Sequence, residues 1–232
     1  MEKISLAWSG GKDCTLALRE LQKEKYEIAF HTTLNKDTAR VGMHGIRKEL
    51  IEAQAKALDI PVVFLHVPSD STNESYESVL NAYYKDLSNQ GIDFIGFGDL
   101  FLEDLKAYRD KILASHGLRG VYPLWKQDTQ ILSRKFIDLG FKATICASQQ
   151  FPGREPLAGS KYDHKFLDHL PLGVDPCGEN GEFHSFVHGG PNFSYPLDIR
   201  VGKAETHFYH YKTEEGEAIE KGFDFVDLEL VT

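Results

Sequence analysis

Cysteine is scarce in this 232-residue chain: three residues, Cys14, Cys146 and Cys177, lie far apart with no CxxC pair. That set is wrong for a disulfide scaffold and lacks the ligand spacing of a structural zinc site; it suits a reducing compartment. Long apolar runs are missing too. None approaches the ~20 residues that cross a bilayer, and the N-terminus, MEKISLAW, has no leader-like apolar segment. Positive charge is in short supply: 26 Lys and Arg stand against 35 Asp and Glu, a net charge of −9. An acidic chain disfavours non-specific nucleic-acid binding, which needs a basic surface. Internal repeats and low-complexity segments are absent. The expectation is a cytoplasmic protein with no membrane and no nucleic-acid partner; a homo-oligomer stays open.

What is present is alternation. KISLAW, residues 3–8, is a short apolar run, as in a strand buried on both faces. Helical spacing follows over 12–25, a β-rich run over 27–34, and helical spacing again over 44–58. PVVFLHV reads as a strand, 73–90 as a helix, IDFIGFG as a strand and 100–116 as an amphipathic helix. Strand–helix repetition predicts an α/β fold, a doubly wound parallel sheet whose strand ends share one ligand-binding edge. Beyond that lie a helix (128–139), a strand (142–148), the Gly/Pro-rich QQFPGREPLAG and two strand-like runs at 204–211 and 223–231. These predict a smaller α+β portion. The boundary is set near residue 131, giving domains 1–131 and 132–232. The stretch 149–160 is either a mobile flap over the cleft or a linker.

The junction SGGKDC, residues 9–14, carries the first chemical signal. Paired glycines between a buried strand and a helix allow backbone N–H groups to point inward. The helix adds unpaired amides and the positive end of its dipole, and the result is a phosphate site. Lys12 adds a compact charge; Ser9 and Thr15 offer hydroxyls. The spacing matches neither GxxxxGK[ST] nor GxGxxG.

This loop resembles the SGGxD[ST] loop of the PP-loop ATP pyrophosphatases, the adenine nucleotide α-hydrolase-like proteins. Two further stretches, GFGDLFLEDLKAYRDKI (96–112) and DPCGENGEFHSFVHGGPNF (175–193), resemble motifs of the diphthine–ammonia ligase family within that superfamily. The resemblance implies a HUP-like, Rossmann-like domain joined to a smaller C-terminal domain. It implies ATP and Mg²⁺ as cofactors. It also implies an amide ligase that forms an acyl-adenylate and releases AMP and pyrophosphate. The partners would be a small-molecule or protein-linked carboxylate and ammonia or an amine. By the same resemblance, Ser9, Gly10, Gly11, Lys12, Asp13 and Cys14 hold pyrophosphate, with Cys14 where Ser or Thr is commoner. Thr33 and Leu34 lie near adenine. ENGEFH departs from the ligase pattern EGGE[FY]E[ST], with Asn180 and His184 at the changed positions. It resembles a bacterial branch linked to cobalamin salvage, so the substrate does not transfer with the ATP chemistry. Two rival readings stay open: RNA thiolation or lysine addition, and a nucleotide sensor without turnover.

The remaining candidates follow from position. Asp99, with Gly98 before it, ends a strand at the loop's own edge. It is a ligand for Mg²⁺ or the α-phosphate region, or a helix N-cap, roles that are compatible. Glu103 faces the cleft or solvent; Arg109 reads as helix-surface charge. Glu179 and Asn180 form a turn with Gly181. In a strand starting at Glu182, Glu182 and His184 share one face, ~7 Å apart, where an acid and an imidazole can bind an amine or act as base. His44 is expected near the start of the second helix, facing the cleft. Lys12, Asp99, Glu182 and His184 are thus the catalytic candidates. His44, Glu103, Glu179 and Asn180 join the last two as candidates for holding substrate. His184 and His188 would lie ~13 Å apart on a strand, too far to share a zinc ion.

Overall fold

The computed structural model describes residues 2–69, 73–212 and 218–231. The first half builds β1 (Lys3–Ala7), α1 (Lys12–Lys23), β2 (Glu27–Asn35), β3 (Arg40–Val41) and β4 (Ile46–Arg47). It continues with α2 (Lys48–Leu58), β5 (Val62–Val67), α3 (Asn73–Asn89), β6 (Phe94–Gly96), α4 (Glu103–Ala114) and β7 (Arg119–Val121). Five strands pair in parallel in the order β5–β2–β1–β6–β7. The chain winds outward from β1 one way, then returns to add β6 on its other side. The crevice between the ends of β1 and β6 is therefore the switch point where such sheets bind ligands.

Both faces of the sheet are covered, which explains the near-continuous apolar strands. Leu16, Leu18 and Leu50, from α1 and α2, belong to one core cluster. Leu80, Tyr83 and Leu113, from α3 and α4, belong to the other. Trp8, just past β1, stacks on Phe30 at 4.0 Å and donates its indole N–H to Gln54 on α2.

The second half contains α5 (Thr129–Asp138), β8 (Lys142–Gln149), α6 (His164–Asp168), β9 (Phe183–Gly189), β10 (Ile199–Lys212) and β11 (Ala218–Leu230). Its strands form an antiparallel sheet in the order β10–β11–β8–β9. Asp128 and Asp163 cap α5 and α6 through their side chains. The first sheet's last strand ends at Val121 and the second sheet's first strand begins at Lys142; residue 131 lies between them, inside α5. Phe136, Ile145 and Phe186 join the same apolar cluster as Ile4 and Leu6, so the two sheets share a core.

The helix expected over 44–58 begins only at Lys48. Residues 40–47 instead form the β3–β4 hairpin, with β3 pairing antiparallel to the end of β2. The apolar spacing of Ile46 and Leu50 imitated a helical turn. Ile46 is buried as a strand residue, and Gly45 holds the hairpin turn at φ +64°. None of residues 149–160 lines the cleft described below. Gly159 and Ser160 are bonded to Ile145 on β8, and the Ala158 amide donates to Ser148, which pins the end of this stretch to the second sheet.

Candidate functional site

A cleft of about 390 Å³ opens at the switch point. Its floor is the loop after β1 and the end of β6. One wall comes from α3 and α4, with Tyr84, Leu105 and Arg109 turned inward. The other is the segment from Cys177 to Ser185 in the second half of the chain. The two halves therefore meet across one site.

The glycines of the loop are fixed by packing. Gly10 has φ +81°, and a Cβ there would come within 2.8 Å of Gln54 Oε1 and 2.9 Å of Ile51 Cδ1. Its carbonyl accepts from Gln54 and from the Val187 amide, so its job is to anchor the loop; Gly10 does not line the cleft. Gly11 is the N-cap of α1 and provides no side chain to cap the first-turn amides. The Lys12 amide donates to Ser185 Oγ at 3.2 Å. Gly98 closes the floor: a Cβ there would lie 2.9 Å from the Asp13 carbonyl carbon and 2.9 Å from the Cys14 nitrogen.

The loop hydroxyl and thiol serve the loop itself. Ser9 Oγ accepts from the Gly11 amide at 3.4 Å and lines the cleft. Cys14 Sγ donates to Gly11 O, and burial pushes its thiol up to about 11. Thr15 is fully buried and also donates to Gly11 O, so it offers no ligand a hydroxyl.

Lys12 brings the expected compact charge to the loop, but as a buried and paired group. It is 3% exposed, and its ammonium donates to Cys177 O and to Asp13 Oδ2. Burial opposes the charge, but Asp13 and the acid groups around it outweigh that and hold Lys12 above its ordinary value. Asp13 is itself pushed up, chiefly by burial, and its Oδ1 is buried without a hydrogen-bond partner among the described residues.

The Cys177 carbonyl is aimed by the loop that carries it. Asp175 accepts from the amides of Cys177 and Glu179 and from Thr129 Oγ1. Glu182 accepts from the amides of Asp175 and Asn180 and from the Asn180 side chain. Glu182 precedes β9, is buried, and does not line the cleft. It braces the loop from behind, away from the cleft where the catalytic and substrate-holding roles expected of it would be played. Asn180 is exposed and ties back to Glu182, so it too drops out. Glu179 does reach the cleft. It accepts from the Leu100 amide at 2.9 Å, and burial, reinforced by nearby Asp13 and Asp99, lifts its carboxyl to about 7.

Asp99 lines the cleft but caps no helix, since α4 starts at Glu103 with Leu102 at its N-cap. One Asp99 oxygen is taken by the Arg109 guanidinium, which lies 4.4 Å over the Phe97 ring. Arg109 was the residue that sequence reasoning left on the surface. Its signal was the series Leu105, Tyr108, Arg109 and Ile112, one face of α4, all lining the cleft. Glu103 points away: its side chain is 72% exposed and pairs with Lys126.

Thr33 lines the cleft as expected, while Leu34 is fully buried in the core and pairs with Val41. His44 reaches the cleft from the β3–β4 turn and meets His184 of β9, with ring centroids 4.4 Å apart. Burial and Lys12 depress both, His184 to about 4, so both rings are neutral at pH 7.

Fold and site together define a doubly wound α/β protein with a cleft at the switch point of its parallel sheet. The model of the diphthamide synthase N-terminal domain matches residues 1–120, and that of the C-terminal domain matches residues 128–221. The chain belongs to the diphthamide synthase family. Membership makes it an ATP-dependent ligase or ATP pyrophosphatase by class. Among curated proteins none matches the sequence. A solved structure from Methanocaldococcus jannaschii, described as a "predicted subunit of tRNA methyltransferase", is similar at 14% identity and a TM-score of 0.45, over 82% of this chain and 98% of its own.

The residues present fit a polyphosphate with Mg²⁺. The α1 terminus, with a glycine at its N-cap, and the glycine cradle suit phosphate oxygens, with the Gly11 and Lys12 amides held by Ser9 and Ser185. The unpartnered Asp13 Oδ1 suits a cation shared with them. Among the described residues no three His, Cys, Asp or Glu form a self-sufficient metal cage. Asp99, like Asp13, has one oxygen held by a cation, Arg109 in its case, and it lines the same cleft.

Proposed function

We propose that this cleft binds ATP with its β- and γ-phosphates on the loop from Ser9 to Cys14, and that the protein joins a carboxylate to ammonia or an amine with release of AMP and pyrophosphate. The observation that carries the reading is the junction of three segments at one switch point. These are the α1 terminus with its N-cap glycine, the Gly98–Asp99 floor and the Cys177–Ser185 wall. A nucleotide held by its outer phosphates in this crevice leaves the inner phosphorus toward the second wall, where an acceptor carboxylate would enter.

Each residue then has a physical task. The first-turn amides and the α1 dipole meet the departing pyrophosphate charge. Lys12 sits fixed beneath the loop and keeps its charge close to it. Mg²⁺ would screen the phosphates, held through Asp13 with Glu179 and Asp99 near. Arg109 is already desolvated on one face and offers donors beside Asp99. Thr33 lies where the end of β2 borders the adenine side.

Product analysis tests this. The protein is incubated with ATP, Mg²⁺, ammonium and a panel of carboxylates, corrinoid precursors among them. AMP and pyrophosphate support the reading; ADP and phosphate contradict it. The engagement of Lys12 by Cys177 O and Asp13 favours one alternative, a sensor that binds nucleotide without turnover. Tight nucleotide binding with no pyrophosphate across the whole panel supports that alternative.

A further inference from the structure

His44 and His184 come from separate halves of the chain, yet meet ring to ring at 4.4 Å on the cleft wall. Neither ring has a hydrogen-bond partner among the described residues, and neither is among those with an unrecorded contact. Each neutral imidazole keeps one N–H donor and one acceptor. Lys12 is the charged group that acts on both. No carboxylate is among the charges acting on either ring, although Asp13 and Glu179 lie elsewhere in the same cleft.

The pair is also held in place before any ligand arrives. His44 rides on the β3–β4 turn, and that turn is clamped from the second sheet. Asp227 of β11 accepts from Arg40 at 2.9 Å and from Arg47 Nε at 2.8 Å, on the two strands of the hairpin. Arg40 also donates to Gly45 O at 2.6 Å, beside His44. Phe225 packs under Gly45, where an added Cβ would meet its ring at 3.2 Å. A turn tied at both strands and supported from below carries a preorganised side chain.

We propose that His44 and His184 form an anion subsite that receives the carboxylate of the acceptor, selecting acidic over cationic acceptors. Two imidazole N–H donors and a neighbouring ammonium stabilise an incoming carboxylate. An ammonium group there finds no acid on either ring and faces the positive field of Lys12, which Asp13 offsets only in part. Assigning the anion to the acceptor rests on the ligase reading above; the subsite itself rests on the pair.

The test needs no nucleotide. The protein labelled with ¹⁵N-histidine is titrated with sodium acetate and, separately, with methylammonium chloride at equal ionic strength, and the ring nitrogens are followed by NMR. Acetate is expected to shift His44 and His184 saturably, while methylammonium leaves them unmoved. His184→Glu is expected to weaken the acetate response at least tenfold, and His184→Gln, which keeps an N–H donor, to retain most of it. If His184→Glu does not fold, His44→Gln gives the same comparison from the other half of the pair. Shifts with methylammonium, or no shift with acetate, overturn the proposal. Pyrophosphate release without ring shifts sinks the subsite alone; ring shifts without pyrophosphate release in the product assay sink the ligase reading alone.

Discussion

Gly98→Ala puts the β1–α1 loop, the proposed phosphate site, under a defined load. The added methyl would lie 2.9 Å from the Asp13 carbonyl carbon, 2.9 Å from the Cys14 nitrogen and 3.1 Å from Asp13 O. All three are backbone atoms, so no flexible side chain can swing aside. Gly98 is not among the glycines with positive φ, so contact alone supplies the effect. Overpacking of this kind costs about 1–3 kcal/mol. The free protein relieves it by displacing the first turn of α1; a bound nucleotide demands that turn back. The cost therefore falls on affinity, and at 1.4 kcal/mol per factor of ten it weakens binding about 5- to 150-fold. Calorimetry with a non-hydrolysable ATP analogue measures the affinity, and urea unfolding measures the stability. Gly42→Ala is the control, because nothing lies within 4 Å of its added methyl. If Gly98→Ala binds the analogue as the parent does, the first turn of α1 is not the phosphate site.

Three further outcomes follow from the same geometry. Lys12→Met keeps the buried stem but loses the ammonium that meets Cys177 O and Asp13; pyrophosphate release is expected to fall at least a hundredfold, read by a coupled assay. Burial raises Glu179 to about 7 in the folded state, above its ordinary value of 4.5. The folded protein then holds more protons than the unfolded chain between those values, so this group lowers stability as pH rises from about 4.5 to about 7. Glu179→Gln is expected to flatten that decline in a urea series across pH, and parallel curves would refute the assignment. Asp227 is held down to about 2 by Arg47 and Arg40, so it contributes stability above 3.8 that is lost as pH falls toward 2. Asp227→Asn is expected to cost about 1–2 kcal/mol, as charged hydrogen bonds at a part-exposed site do. It should also speed amide exchange across residues 40–47 while leaving nucleotide affinity intact.

The parallel sheet was legible because its strands are buried on both faces and read as apolar runs, as KISLA and PVVFLHV do. The strand–helix junction at residues 9–14 was legible because its glycines answer a local need: Gly10 takes a positive φ, and Gly11 opens a helix as its N-cap. What failed depended on contacts between distant segments. Glu182 and His184 share a two-residue spacing, but β9 starts between them at Phe183, and Asn180 and Asp175 draw the carboxylate inward. Arg109 looked like surface charge because Phe97 and Asp99, its partners, sit on another element. His44 was expected on a helix, and only pairing with β2 reveals the hairpin. Its meeting with His184 joins positions 140 residues apart, as their numbers show, and no local pattern encodes that.

Amide shift mapping with the two halves of the nucleotide used separately is the sharpest test, because it needs no acceptor. Pyrophosphate with Mg²⁺ should move the backbone amides of Gly11, Asp13, Cys14 and Gly98, whereas AMP alone should move Thr33 and leave those four in place. Pyrophosphate shifts that gather elsewhere, with the β1–α1 junction silent, would contradict the assignment of that junction to the outer phosphates of ATP.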